Sequence, residues 1–259
     1  SENRGMDIQA LHAFEDNYIW LLRDGRRVVA IDPGDASPVL RYLEEQNASL
    51  AAILITHHHG DHTGGIDALL SRGPVPIFGP AGEAIAGVTV PRRGGDTVHL
   101  PELQGRFQVM DVPGHTRGHI AYYGHGALFC GDTLFACGCG RLFEGTAEQM
   151  WASLCRLAAL PGETLVYCAH EYTQSNIRFA LAVEPGNAAL QMRALRVAQL
   201  RAEKQPTVPF KLAEELGTNP FLRCGEAEVV ASAERHSGGK LSADSQVFAA
   251  LREWKNGFR

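Results

Sequence analysis

Thr56-His57-His58-His59-Gly60-Asp61-His62 sets His57, His59, Asp61 and His62, four side chains of metal-ligand type, within six residues. Imidazoles and carboxylates bind divalent transition ions. The run follows Ala51-Ala-Ile-Leu-Ile-Thr56, a short apolar, β-branched segment that reads as a buried strand, so the ligands sit where a strand ends. A lone His-x-His pair arises by chance on a surface, and short His tracts occur as tags. The strand-end setting argues for a metal site.

Three further segments repeat the arrangement. Phe107-Gln-Val-Met-Asp-Val112 leads into Pro113-Gly-His115, Ala127-Leu-Phe-Cys130 into Gly131-Asp132, and Thr164-Leu-Val-Tyr-Cys168 into Ala169-His170. In layered α/β folds the loops at strand carboxyl ends carry function, and small residues such as Gly60, Gly114, Gly131 and Ala169 permit close approach of backbone and ligand. Taken singly, a core histidine or a capping aspartate explains each residue. Together the strand ends converge on one site.

Composition agrees with a globular enzyme. The 259 residues exceed one average domain, and 45% hydrophobic content fills a core with a smaller appended unit. A net charge of −5 without a long basic run argues against an extended nucleic-acid footprint or a polybasic membrane contact. No apolar stretch approaches the roughly 20 residues of a membrane span, and the amino terminus lacks signal-peptide order, so a cytoplasmic protein is expected. Ser1-Glu-Asn-Arg-Gly5 ahead of Met6 reads as a cloning remnant. In that compartment the six cysteines, at 130, 137, 139, 155, 168 and 224, are expected to be reduced and mostly buried. Cys137-Gly-Cys139 invites a metal reading but lacks a second pair at zinc spacing, while Cys130 and Cys168 read as small buried hydrophobes on strands.

Strands at 18–23, 27–32, 51–56, 107–112, 120–123, 127–130 and 164–168 alternate with helical runs and predict two packed sheets under outer helices. Periodicity alone also permits a doubly wound sheet. Thr146 and Gln149 form a capping box ahead of Met150, Leu154 and Leu157, so a helix begins near Thr146. Beyond His170 the pattern turns helical over 172–183 and 187–204, interrupted by Glu184-Pro-Gly186 and stopped at Gln205-Pro206. A last helix starts at Ser242 with Val247, Leu251 and Trp254 on one stripe, flanked by Arg252 and Lys255. By themselves those two charges fit a solvated helix end.

These residues resemble the metallo-β-lactamase-fold hydrolases, whose signature is Thr-His-x-His-x-Asp-His followed by a distant His, Asp and His. The likeness to the glyoxalase II (hydroxyacylglutathione hydrolase) family is close. It extends from Phe14-Glu-Asp-Asn-Tyr-Ile-Trp20 through Ile31-Asp-Pro-Gly34, Gly131-Asp-Thr-Leu-Phe135, Gly138-Cys-Gly-Arg-Leu-Phe-Glu-Gly-Thr146 and His170-Glu-Tyr-Thr173. The resemblance implies an α/β, four-layer αββα metallo-β-lactamase sandwich over 6–170 and a C-terminal helical, substrate-binding domain over 171–259. It implies two divalent metals, zinc first with iron or manganese as alternatives. One takes His57, His59 and His115, the other Asp61, His62 and His170, and Asp132 bridges them. Two cations roughly 3.5–4 Å apart sharing a carboxylate lower the pKa of a shared water toward about 7, which yields hydroxide, the nucleophile, at neutral pH. Asp61 and Asp132 are therefore the catalytic candidates. A thiolate leaving group, from a thiol of pKa near ~8.5, needs little help from a general acid.

Of the other histidines, His58 is expected to point away from the ligands because side chains alternate along an extended strand end. His119 either orients a ligand or caps the following strand. His12, His99, His125 and His236 are expected to be structural or exposed. By resemblance Arg141, Phe143, Tyr172, Arg252 and Lys255 line the substrate site, Arg252 and Lys255 holding the glutathione glycine carboxylate. In relatives the Arg141 position is often Lys and the Phe143 position often Tyr, so Phe143 lacks a hydroxyl for the peptide. The implied reaction is hydrolysis of S-D-lactoylglutathione to D-lactate and glutathione, the last step of methylglyoxal removal, by a monomer acting on no nucleic acid or membrane. The rival readings are a mononuclear-iron glutathione persulfide dioxygenase, an RNA-processing nuclease and, further off, a β-lactamase.

Overall fold

The computed structural model describes residues 6–259, and residues 1–5, read above as a remnant, lie outside the described residues. The chain packs as two compact units, one running to Asp111 and resuming over Thr116–Gly131, the other joining Val112–His115 to Asp132–Arg259.

In the first unit β1 (Asp7–Ala13), β2 (Asn17–Asp24) and β3 (Arg27–Ile31) form an antiparallel meander. Helix α1 (Ala36–Glu45) then returns the chain to β4 (Ser49–Leu54), parallel to β3. Short helices α2 (Gly60–Thr63) and α3 (Ile66–Leu70) precede β5 (Ile77–Pro80) and β6 (Val90–Arg92), which complete a six-stranded sheet in sequence order. Asp35 caps α1 by accepting the Ser37 N–H, and the helix buries Val39 and Leu43 on one stripe. That stripe packs with Ile66 and Leu69 of α3 against Ile19, Leu21, Val28, Ala30, Ile53 and Ile77 of the sheet. Each such aliphatic side chain contributes about 1.5–3 kcal/mol by leaving water.

A second run of strands, β7 (Thr97–Leu100), β8 (Gly105–Asp111), β9 (Ile120–Gly124) and β10 (Ala127–Gly131), is antiparallel throughout. It meets the first sheet through buried Tyr122, whose hydroxyl donates to the Ile55 carbonyl at 2.6 Å, and through the Ile120 N–H on the Thr56 carbonyl at 3.0 Å. Strand β4 stops before the expected Thr56, because the Thr56 N–H leaves the ladder for the Asp32 carboxylate at 2.8 Å. Strand β3 stops at Ile31 because Asp32 turns into positive φ, +54°.

The second unit opens with a hairpin of β11 (Leu134–Phe135) and β12 (Gly138–Cys139). Helix α4 (Ala147–Ala158) starts on the expected capping box, with the Thr146 N–H on Gln149 Oε1 and the Gln149 N–H on Thr146 Oγ1. Strand β13 (Leu165–Cys168), helices α5 (Thr173–Val183) and α6 (Ala188–Ala202), strand β14 (Phe210–Lys211) and helices α7 (Leu212–Thr218), α8 (Ala227–Ser237) and α9 (Asp244–Asn256) follow. Strand β14 pairs antiparallel with β13. The last helix begins two residues later than Ser242, because the Gln246 carboxamide captures the Ser242 N–H and hydroxyl in the preceding turn. Its Val247 and Leu251 are buried as expected, and Phe248 joins Phe221 and Phe179 in an aromatic cluster. All six cysteines are free thiols and only Cys155 is exposed. No helix among the described residues is long and apolar enough to cross a membrane.

Candidate metal centre

Each unit presents its own set of donors. In the first, the chain leaves β4 at His57, and α2 winds Asp61 and His62 back toward it. Buried Asp32, at the end of β3, organises them. Its Oδ2 accepts the Thr56 hydroxyl at 2.7 Å and lies 2.9 Å from His62 Nδ1. Because the single hydroxyl proton of Thr56 goes to Asp32, Thr56 Oγ1 accepts from His57 Nδ1 at 2.9 Å. Both imidazoles therefore hold their proton on Nδ1 and, when neutral, present a lone pair on Nε2. The donor atoms of Asp32, His57 and His62 lie within 4.8 Å of one another. Asn17 Nδ2 donates to Asp61 Oδ2 at 3.0 Å, and that oxygen stands 3.3 Å from His62 Nε2. The His59 ring lies 4.8 Å from His57, edge-on.

His58 and His59 are both half-buried, and only the deeper burial of His57 sets one of the three apart. His57 is fully buried, whereas His58 is half-buried, its N–H donating to Glu83 Oε1 and its ring edge-on to His59. His119 stacks on His57 at 4.4 Å while its Nδ1 sits 3.1 Å from the Ile120 carbonyl, so it serves as a platform for the His57 ring. His125 Nε2 accepts the Arg106 N–H, His12 packs on Tyr18 and His236 stacks on Trp254, all structural contacts.

In the second unit Asp132, 5% exposed, stands between two histidines: Oδ2 is 3.3 Å from His115 Nε2 and Oδ1 is 3.3 Å from His170 Nε2. The Arg141 carbonyl only accepts, so His115 donates to it from Nδ1 at 2.9 Å and turns its Nε2 lone pair toward the carboxylate. Lone pairs held against carboxylate oxygens repel unless a proton or a metal cation lies between them, and a divalent ion can serve several such donors at once. The donor set thus fits divalent ions. Phe143, 63% exposed, sits edge-on to His115, and Tyr172 stacks on His170 at 4.6 Å and 2°.

The basic residues expected to bind substrate are also in this unit. Lys255 is half-buried, and burial, with the positive charges of Arg252, Arg141 and Arg178, lowers its pKa below the usual 10.5. Arg252 lies deeper, 5% exposed over the Phe221 ring, with Nη1 donating to the Cys139 carbonyl at 2.6 Å and the Gly140 carbonyl at 3.3 Å. Its Nε meets no acceptor among the described residues. Cys137 and Cys139 are buried, and burial beside Glu215 pushes the Cys137 thiol up to about 12, which keeps it protonated and a poor ligand.

Sequence reading passed over the supporting shell. Asp32 ends a strand as the ligands do and carried the same signal, but a carboxylate before Pro33-Gly34 reads equally as a turn residue. Asn17 carried none.

Comparison with known proteins follows these features. Residues 13–170 match the Metallo-beta-lactamase superfamily and residues 171–258 match the Hydroxyacylglutathione hydrolase C-terminus. The hydroxyacylglutathione hydrolase of Nitrosomonas eutropha is 54% identical over 98% of this chain and 100% of its own length. That of Cupriavidus taiwanensis is also 54% identical, with the same two shares, 98% and 100%. Among solved structures, ETHE1 from Myxococcus xanthus is 28% identical with a TM-score of 0.65, covering 96% of this chain and 98% of that one. TTHA1623, crystallised in a di-iron-bound form, is 30% identical with a TM-score of 0.53 over 63% of this chain and 91% of that one. A superfamily match over more than half the chain and full-length relatives at this identity place the protein in the hydroxyacylglutathione hydrolase family of the metallo-beta-lactamase superfamily.

Proposed function

We propose that the chain hydrolyses S-(2-hydroxyacyl)glutathione thioesters, chiefly S-D-lactoylglutathione to D-lactate and glutathione. The observation that carries this reading is identity above half, along the whole chain, to proteins named for that activity. Incubation with S-D-lactoylglutathione and titration of the released thiol tests it; no thiol release by metal-replete protein overturns it.

By the family resemblance His57, His59 and His115 would hold one divalent ion, Asp61, His62 and His170 a second, and Asp132 both, all of them imidazole or carboxylate donors suited to such ions. Zinc is the proposed metal, with iron and manganese as alternatives that suit the same imidazole and carboxylate donors. A bound pair supplies Lewis acidity and brings the pKa of water down to about 7. The chain's own part is positional. Asp32, Thr56 and the Arg141 carbonyl keep a proton on Nδ1 of His62, His57 and His115, so that each ring, when neutral, presents its lone pair on Nε2. Asn17 steadies Asp61.

Residues 6–170 are proposed as the catalytic part and 171–259 as the substrate-binding part; the two family matches meeting at 170 and 171 support that division. Arg141, Tyr172, Lys255 and the Nε edge of Arg252 would grip the glutathione carboxylates and amides, while Phe143 adds only an apolar face. A cytoplasmic monomer without nucleic-acid or membrane partners completes the reading. The Asp61, His62 and His170 donors weigh against a mononuclear-iron dioxygenase, for which oxygen uptake is the discriminating assay.

His58→Ala should keep most activity and metal while His59→Ala loses both, because the His59 ring lies 4.8 Å from that of His57 and His59 is the proposed ligand. Equal metal loss in two folded variants would show the register to be misread. Lys255→Ala should raise KM for the glutathione thioester roughly tenfold with little change in kcat, since contacts to a remote carboxylate serve ground and transition states alike. Lysine is charged below its pKa, so the contact is present at neutral pH and lost as pH rises through the lowered value. KM should therefore climb at a pH below 10.5, and Lys255→Arg should abolish that limb. A flat KM profile in the wild type would remove Lys255 from the site.

A further inference from the structure

Asp132 and Arg141 bracket the β11–β12 hairpin, one supplying a metal-ligating carboxylate and the other the carbonyl that orients His115. Each strand of this hairpin is two residues long, and Cys137 at its turn holds φ at +56° without being glycine. A ribbon of that size has little stability of its own. Its shape is imposed by buried side chains of the helical region. Asn219 Nδ2 donates to the Phe135 and Gly138 carbonyls at 3.2 and 3.0 Å, Asn176 Nδ2 donates to the Ala136 carbonyl at 3.2 Å, and the Cys137 N–H donates to Glu215 Oε1 at 2.7 Å. Glu215 and Asn219 are fully buried and Asn176 is 6% exposed. The amide orientation of Asn219 is set by its other end, where Oδ1 accepts the Phe221 N–H at 3.0 Å. Glu215 is in turn ion-paired with buried Arg193, which also donates to Thr218 Oγ1.

The hairpin is coupled to the donors without slack. The Gly140 N–H bonds the Thr133 carbonyl at 3.1 Å, and a Cβ on Gly140 would lie 1.9 Å from the Asp132 carbonyl oxygen and 3.1 Å from His115 Nδ1. A shift of the hairpin therefore moves Asp132 and the His115 acceptor together. Metal centres tolerate displacements of only about 0.5 Å in their supporting groups.

We propose that Asn176, Glu215 and Asn219 are positioning residues of the metal centre, by which α5, α7 and the turn after α7 hold the hairpin that sets Asp132 and His115. The helical region then governs metal affinity as well as substrate affinity. The inference rests on the metal assignment made above.

The test is zinc affinity, measured on the full chain by competition with a chromophoric chelator, beside kcat and KM at saturating zinc. Asn219→Ala should weaken zinc binding about 10- to 100-fold, the usual cost of losing an outer support, with KM for the thioester unchanged. Asn176→Ala, which removes a single bond to the hairpin, should weaken it less and serves if Asn219→Ala fails to fold. Ser232→Ala is the control, because it removes a buried bond to the Val183 carbonyl in the same helical region and touches no part of the hairpin. It should lower the melting temperature and leave zinc affinity intact. Wild-type zinc affinity in folded Asn219→Ala and Asn176→Ala overturns the proposal, and so does an equal loss in Ser232→Ala, which would mark general destabilisation. A wild-type chain that binds no zinc, iron or manganese overturns the metal assignment itself, and the positioning role with it.

Discussion

Asp132→Ala should leave the purified protein with almost no retained metal and cut kcat/KM by at least about a thousandfold, since the Lewis acidity of a metal site is worth several kcal/mol and each 1.36 kcal/mol is tenfold. The expectation follows from position. Asp132 has an imidazole nitrogen 3.3 Å from each of its oxygens, so its loss removes negative charge from beside both histidines at once. With that charge gone, Asp61 is the one carboxylate left among the seven proposed ligands to balance two cations. Asp132→Asn, which keeps the shape and drops the charge, should lose metal nearly as completely. Elemental analysis of the folded wild type should approach two ions per chain. A stable value of one ion in fully active protein would end the dinuclear reading.

Asp32→Ala should do comparable damage from outside the ligand set. Asp32 accepts the Thr56 N–H, the Thr56 hydroxyl and His62 Nδ1, and it is 4% exposed. Removing it strands three buried donors, at about 1–3 kcal/mol each before relaxation, and frees Thr56 to donate to His57 instead of accepting from it. The tautomers of His57 and His62 would then no longer be held, and metal affinity should fall by more than the ~10- to 100-fold typical of one supporting group. Asp32→Asn separates the two effects. It keeps the volume and one acceptor but puts an amide where one recipient needs an oxygen, so a folded protein with weakened metal binding is expected. Retention of both metals at wild-type affinity in Asp32→Asn would show that the Nδ1 protons are set by something else.

Much of the candidate site is legible in sequence because it obeys local rules. His57, His59, Asp61, His62, His115, Asp132 and His170 all follow short apolar strands, and a strand delivers the residue after its last rung to a known end of the sheet. The Thr146 capping box and the buried Val247 and Leu251 stripe are likewise readable from spacing alone.

What the sequence by itself determined, then, is the candidate donor residues, strands β2, β3, β4, β8, β9, β10 and β13 with helices α4, α5, α6 and α9, and the family to which the chain belongs. Tertiary structure alone decided which polar groups hold those donors still. Glu215 and Asn219 reach the hairpin across 78 and 84 residues, and nothing in their neighbourhood distinguishes them from an exposed glutamate and a turn asparagine. Arg252 reads from its helix as a flanking charge, yet it is buried and shared with the Cys139 and Gly140 carbonyls, because its helix packs on Phe221 and carries the guanidinium inward. Periodicity records which face of an element is apolar, and chemistry records which side chains ligate. Which buried donor meets which acceptor depends on how distant elements pack, and only the folded chain contains that pairing.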